Sequence, residues 1–224
     1  MKGRFILLLS VVVVLFATGQ EQRVSASLTT QGFAGLKARY ERGLAPGILA
    51  GVFYHGSALM LAQGDVDTGE LGLSIAATMP LGNLYVEGLA EAGYRYQNQN
   101  LGFAQTAFAS GLVRTSVRFG IMKLGVELGL EQALVSGIVY SDFVRETFRG
   151  MYEGSPPAPD GSLAYFPSFR LKAGLAYSLG FANGLALHFG GGLLYTPTPF
   201  VAGFEGMAFG FFPFYADMGF CLTL

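Results

Sequence analysis

The chain has 224 residues, of which 51% are apolar and only 13% charged, with 33 glycines and a formal net charge of -1; a soluble domain carries about 25% charged residues and ~7% glycine. High apolar content at near-zero net charge excludes a disordered chain, and 14 Lys and Arg balanced by 15 Asp and Glu, with no basic run, exclude a nucleic-acid partner. The single cysteine, Cys221, excludes an internal disulfide framework and a cysteine zinc site.

The first element is an export signal. Lys2 and Arg4 are followed by an apolar run from Phe5 to Ala17, and Val24-Ser25-Ala26 supplies small residues ahead of Ser27. This is the three-part form of a secretory signal peptide over residues 1–26, with a cut after Gly19 as the alternative. The run is shorter than the ~20 residues a spanning helix needs. No cysteine follows it, so lipid attachment has no acceptor. Residues 27–224 are expected to form one domain.

Downstream, the long uncharged stretches 43–63 and 185–203 are interrupted by Gly and Pro and make poor helices. A period of two appears instead. Leu71, Leu73, Ile75, Ala77 and Met79 share one face against Gly72, Ser74, Ala76 and Thr78. Leu124, Val126, Leu128 and Leu130 oppose Gly125, Glu127, Gly129 and Glu131. At the end of the chain Phe214, Ala216, Met218, Phe220 and Leu222 oppose Tyr215, Asp217, Gly219, Cys221 and Thr223. The alternation places strands near 32–41, 70–80, 84–96, 107–119, 124–133, 165–179, 185–195 and 211–224. Most have the 9 to 11 residues, or somewhat more, of a tilted membrane strand.

Tight turns at Leu81-Gly82-Asn83, Gly120 to Lys123 and Gly180 to Gly184 alternate with longer connections at 42–69, 97–106, 134–164 and 196–210. Short turns on one rim and long loops on the other predict an all-β fold, a transmembrane antiparallel up-and-down β-barrel of eight strands. Residues 47–62 leave an alternative open. They either protrude as a hairpin of the first loop or enter the wall; with a further strand before residue 32, the second case gives ten strands.

Charge decides which face meets lipid. One face carries Lys37, Arg39, Glu41, Glu87, Glu91, Arg95, Arg114, Arg118, Glu127, Glu131, Arg170, Lys172 and Asp217; the other carries none. A charge on the lipid side at mid-depth costs ~2 to 4 kcal/mol, so the charged face is expected to line the lumen. A soluble barrel would need the reverse and would expose a long apolar patch. Tyr40, Tyr94, Tyr96, Tyr165 and Tyr195 fall on the apolar face near the long loops, as an interfacial girdle does. Strand signs alternate, predicting pairs of Glu87 and Glu91 with Arg114 and Arg118, and of Glu127 and Glu131 with those arginines, Arg170 and Lys172. Asp217 is expected to meet Lys37 or Arg39 where the last strand closes on the first, or His188 on its neighbour. An eight-stranded barrel is wide enough only for its own side chains or one small ligand. The network therefore predicts a largely plugged lumen.

The export signal, the alternating segments and the closing stretch Phe212-Pro213-Phe214-Tyr215-Ala216-Asp217-Met218-Gly219-Phe220 resemble the small outer-membrane barrels grouped around OmpA, OmpX and OmpW. The loop order and Leu71-Gly72-Leu73-Ser74-Ile75 are most similar to OmpW, while Gly32-Phe33, Leu36-Lys37 and Arg39-Tyr40-Glu41 are closer to OmpX. The resemblance implies the outer membrane of a diderm bacterium, outer-membrane lipids as surroundings and the barrel-assembly machinery as a partner in biogenesis. That machinery usually reads a terminal aromatic residue, where this chain has Leu224. The resemblance to OmpW further implies binding or passage of small hydrophobic solutes at the extracellular end. Candidate contacts are Val52, Phe53, Leu59 and Met60 in the first loop, with Phe143 and Phe148 in the third. The alternative is a structural or adhesin-like role in which the loops meet a surface receptor; a monomer is expected in both cases.

Catalysis finds little footing. His55-Gly56-Ser57 has a His-x-Ser spacing resembling the lipid A deacylases, but no neighbouring motif accompanies it. His188 lies on the charged face, where a base would still need a nucleophile and an orienting group. No metal-ligand cluster, phosphate loop or serine elbow is present in the sequence, so no enzyme and no cofactor is expected.

Overall fold

A computed structural model describes residues 21–30, 35–57, 67–99, 102–140, 142, 169–195 and 214–224. Alternating small polar and bulky apolar side chains favour extended backbone throughout. The strands are β1 (Gln22–Thr29), β2 (Gly35–Ala45), β3 (Ile48–Ser57), β4 (Asp67–Leu81), β5 (Leu84–Gln99), β6 (Gly102–Phe119), β7 (Met122–Tyr140), β8 (Phe169–Gly180), β9 (Leu185–Tyr195) and β10 (Phe214–Thr223). Each pairs antiparallel with its sequence neighbours, and β1 pairs with β10 to close the barrel. Closure removes both sheet edges, which a structure in lipid requires because no water is there to satisfy them.

The wall therefore has ten strands, not the eight of the first expectation. Both extra strands come from segments whose alternation is weak. Of residues 47–62, Ile48–Ser57 enter the wall as β3, joined to β2 by a tight turn at Pro46-Gly47, and 58–62 lie outside the described residues. The segment before residue 32 supplies β1, which contains residues 22–26 of the expected signal. The connection drawn at 97–106 also shrinks, since β5 and β6 run on to leave only residues 100 and 101 between them.

The tight turns that join β2 to β3, β4 to β5, β6 to β7 and β8 to β9 share one rim with the start of β1 and the end of β10. At that rim Gly47 has φ 72° and a Cβ there would lie 2.6 Å from the Thr78 carbonyl oxygen; Gly184 has φ 75° and a Cβ would lie 2.2 Å from the Thr223 carbonyl oxygen. Only glycine takes that backbone in that space. At the opposite rim β6 and β7 stay paired as far as Gly102 and Tyr140, whereas β8 joins β7 only at Gln132. A bulge at Leu134 lets β7 keep both Leu134 and Val135 on the outside.

Faces follow the alternation. Leu71, Leu73, Ile75, Leu124, Val126, Leu128, Leu175, Leu193, Met218 and Phe220 stand exposed on the outer wall. Such a surface is stable only against lipid, so the barrel is of the membrane type. Tyr54, Tyr94 and Tyr195 are exposed on this wall towards the loop rim. Tyr40 departs from the expected girdle. It lies halfway along β2, and its hydroxyl lies 3.4 Å from Gln22 Oε1, close to the turn rim. Tyr165 lies outside the described residues.

Candidate functional site: the charged lumen

Polar and charged side chains line the interior in place of an apolar core: Glu41, His55, Glu70, Arg95, Glu127 and Arg170 are all buried. Their pairing is set by the curvature of the wall as much as by strand order. Near the loop rim, Glu70 on β4 accepts from Arg95 Nε on β5 at 2.5 Å and lies 3.3 Å from His55 Nδ1 on β3. Arg95 also donates through Nη2 to Glu131 on β7 at 2.9 and 3.0 Å, and Arg170 on β8 approaches Glu131 at 3.8 Å. Glu131 thus reaches across β6 to bind β5.

Midway down, Lys37 and Arg39 on β2 both bind Glu91 on β5, with Lys37 Nζ at 2.8 Å from the carboxylate. Two strands lie between these partners along the wall. Glu41 is held by Arg23 Nη2 at 2.6 Å and accepts from the Ser74 hydroxyl at 3.3 Å. Towards the turn rim, Glu127 on β7 binds Arg114 on β6 at 2.7 Å and Lys172 on β8 at 2.9 Å. The Tyr215 hydroxyl of β10 donates to the same carboxylate at 2.6 Å. Glu87 lies 3.5 Å from Arg114 and 3.6 Å from Lys123, and His188 lies 3.3 Å from Asp217.

Aromatic rings build three ledges among the charges, each pressed on a glycine and covered by a cation. A Cβ on Gly72 would lie 2.7 Å from the Phe53 ring, and Lys37 Nζ sits 4.6 Å from that ring centroid. Phe108 packs at Gly93 beneath Arg95, and Tyr215 at Gly174 beneath Lys172. Phe53 and Phe108 stand side by side with centroids 6.3 Å apart. The glycine excess of the sequence is spent partly here, since any side chain at these wall positions would displace a ring. Cation–π contact adds ~0.5–2 kcal/mol where water is excluded.

The expected network residues Lys37, Arg39, Glu87, Glu91, Arg114, Arg118, Glu127, Glu131, Arg170, Lys172 and Asp217 share the inner face, but several partners differ. Glu91 turns to Lys37 and Arg39 instead of Arg114. Arg118 donates to the Gly120 carbonyl and to the Tyr85 hydroxyl, not to a carboxylate. Asp217 meets His188 and neither Lys37 nor Arg39, because β1 stands between β10 and β2.

The sequence reading missed Arg23, Glu70 and Lys123. The first lay inside the expected signal. Glu70 is the first residue of the expected strand 70–80 and Lys123 directly precedes the expected strand 124–133; carrying the alternation of each strand to these positions puts both on the charged face.

Of the expected apolar contacts, Val52 is exposed on the outer wall and faces lipid, while Phe53 is buried in the lumen. Leu59, Met60, Phe143 and Phe148 lie outside the described residues.

A cavity of about 380 Å³ runs between the ion pairs. Its lining includes Thr29 and Arg170 near the loop rim and Lys123 and Thr223 near the turn rim. The ion pairs brace the lumen without filling it. Among the described residues, no group of three His, Cys, Asp or Glu side chains comes together in a way that could hold a metal.

No protein-family model and no curated protein sequence matches the chain. Among solved structures it is similar to the siderophore receptor PiuA from Acinetobacter baumannii, at 11% identity and a TM-score of 0.36, over 80% of this chain and 30% of that one. It is also similar to the translocator domain of the autotransporter NalP from Neisseria meningitidis, at 12% identity and a TM-score of 0.29, over 99% of this chain and 94% of that one. OprB from Pseudomonas putida follows at 10% identity and a TM-score of 0.24, over 87% of this chain and 61% of that one. The chain spans about 30% of the length of the siderophore receptor.

Proposed function

We propose that this chain is an integral outer-membrane barrel of a diderm bacterium, exported by its N-terminal signal, whose braced lumen passes only water and small polar solutes. The observation that carries this is the cross-lumen bridge of Lys37 and Arg39 to Glu91, above and below which a cavity of about 380 Å³ remains. A lumen lined in this way is costly for an apolar solute, which would strand buried charges from their water. Val52 and Phe53 are no longer available to an apolar binding lip, the one facing lipid and the other bound under Lys37.

The test uses the purified full chain in planar bilayers and in liposomes swollen against sugars. Small, steady ion conductance with exclusion of disaccharides is the expected result. Conductance typical of a wide porin, or no passage of water or ions at all, would sink the proposal.

A further inference from the structure

The charges of the lumen are not balanced between the two signs. Within the ten strands the inner face carries nine Lys and Arg side chains against seven carboxylates, so that Lys123, Arg114 and Lys172 share Glu87 and Glu127. Towards the turn rim depth adds to this. The side chains of Glu41 and Glu127 are 1% exposed, tucked against the wall, whereas their partners Arg23 and Arg114 are 25% and 32% exposed. There, water in the cavity touches guanidinium groups more than the carboxylates that neutralise them, whereas near the loop rim Glu131 is the more exposed partner of Arg95 and Arg170. At the turn rim the imbalance grows, because Arg118 has a carbonyl and a phenol for partners and Lys123 is 31% exposed. The exposed acids do not offset it: Glu87 lies between Arg114 and Lys123, and Asp217 faces His188.

From this arrangement we infer that the lumen selects small anions, such as chloride, phosphate or short carboxylates, and that Arg118 and Lys123 admit them at the turn rim. The inference rests on the narrow polar lumen proposed above and names its solute class. In a narrow bore walled by low-dielectric protein, a surface of one sign raises the local concentration of the opposite ion. A mobile anion can pass along Lys123, Arg114 and Lys172, three cations that have two carboxylates between them, Glu87 and Glu127.

The experiment measures the reversal potential of the purified full chain in planar bilayers across a KCl gradient. Chloride preferred over potassium by about twofold or more is expected; an unselective or potassium-preferring bore would overturn the inference while leaving the narrow-barrel reading intact. The double variant Lys123→Glu, Arg118→Glu should lose or invert the preference, and an unchanged preference in the folded protein overturns the assignment. Should that variant fail to show the heat-modifiable mobility of a folded barrel, Lys123→Gln takes its place and should weaken the preference.

A second measurement needs no current. Cys221 lines the same cavity as the single native thiol. In reconstituted protein an anionic methanethiosulfonate should modify it several-fold faster than a cationic reagent of similar size, after correction for their rates with a free thiol. Equal rates, the reverse order or no reaction with either reagent would overturn the inference.

Discussion

Lys37 on β2 grips Glu91 on β5 at 2.8 Å, joining two strands that are not neighbours in the wall. The contact exists only because the sheet closes on itself and brings opposite signs face to face across the bore. It is also the point at which removal of one group should tell most. Breaking a buried pair from one side strands its partner, at ~3–5 kcal/mol, and Glu91 serves two partners at once.

Glu91→Gln should therefore lower stability by about 3–5 kcal/mol in reversible urea unfolding and raise ion conductance, because Lys37 and Arg39 lose their anchor. A variant with both properties unchanged would show that the bridge neither braces nor narrows the lumen.

On the outer wall the sign of a substitution's effect should reverse the usual surface rule. Val52→Arg would put a cation against lipid midway along β3 and should cost ~2–4 kcal/mol in vesicle unfolding. Val52→Ser should leave solute passage unchanged, since the side chain faces away from the lumen. Tolerance of arginine there would place β3 outside the membrane.

Gly174→Ala would set a Cβ 2.0 Å from the Tyr215 hydroxyl and 2.5 Å from the Gly191 carbonyl oxygen. Overpacking of this kind costs ~1–3 kcal/mol, and the displaced ring would also release its hydrogen bond to Glu127. Urea unfolding should show this loss, and Tyr215→Phe, which keeps the ring and removes only the hydroxyl, should cost about 1.5–3 kcal/mol as a bond to a charged group.

The mature N-terminus should follow Gly19. A cut after Ala26 would remove most of β1 up to Ser27 and leave β10 with too short a partner. Intact-mass measurement of protein extracted from outer membranes checks this, and a mature chain beginning at Ser27 would contradict the ten-stranded closure.

Much of the barrel was legible in the residues. The faces of β4, β7 and β10 follow from alternation alone, because a strand's side chains must point to opposite sides and a lipid-facing row cannot hold charge. The turns at 81–83, 120–123 and 180–184 followed from their glycines, whereas the turn at Pro46-Gly47 lay inside the long connection expected at 42–69. β1 and β3 were harder to read, since β3 carries Ala50, Gly51 and Gly56 where a lumen–lipid contrast would show, and β1 mixes serines with small apolar residues. The extension of β5 and β6 beyond the membrane-length core also escaped notice, because Gln97-Asn98-Gln99 has a loop-like composition.

What the sequence by itself determined was the side on which each charge lies, since a period of two is a local property that each strand carries in its own order. What only the tertiary structure decided was which charges meet. Adding β1 between β10 and β2 moves Asp217 away from Lys37 and leaves it to His188, and closing ten strands brings β2 to bear on β5. Partnership across a lumen depends on strand number and curvature, which are properties of the closed sheet and are written in no single segment of it.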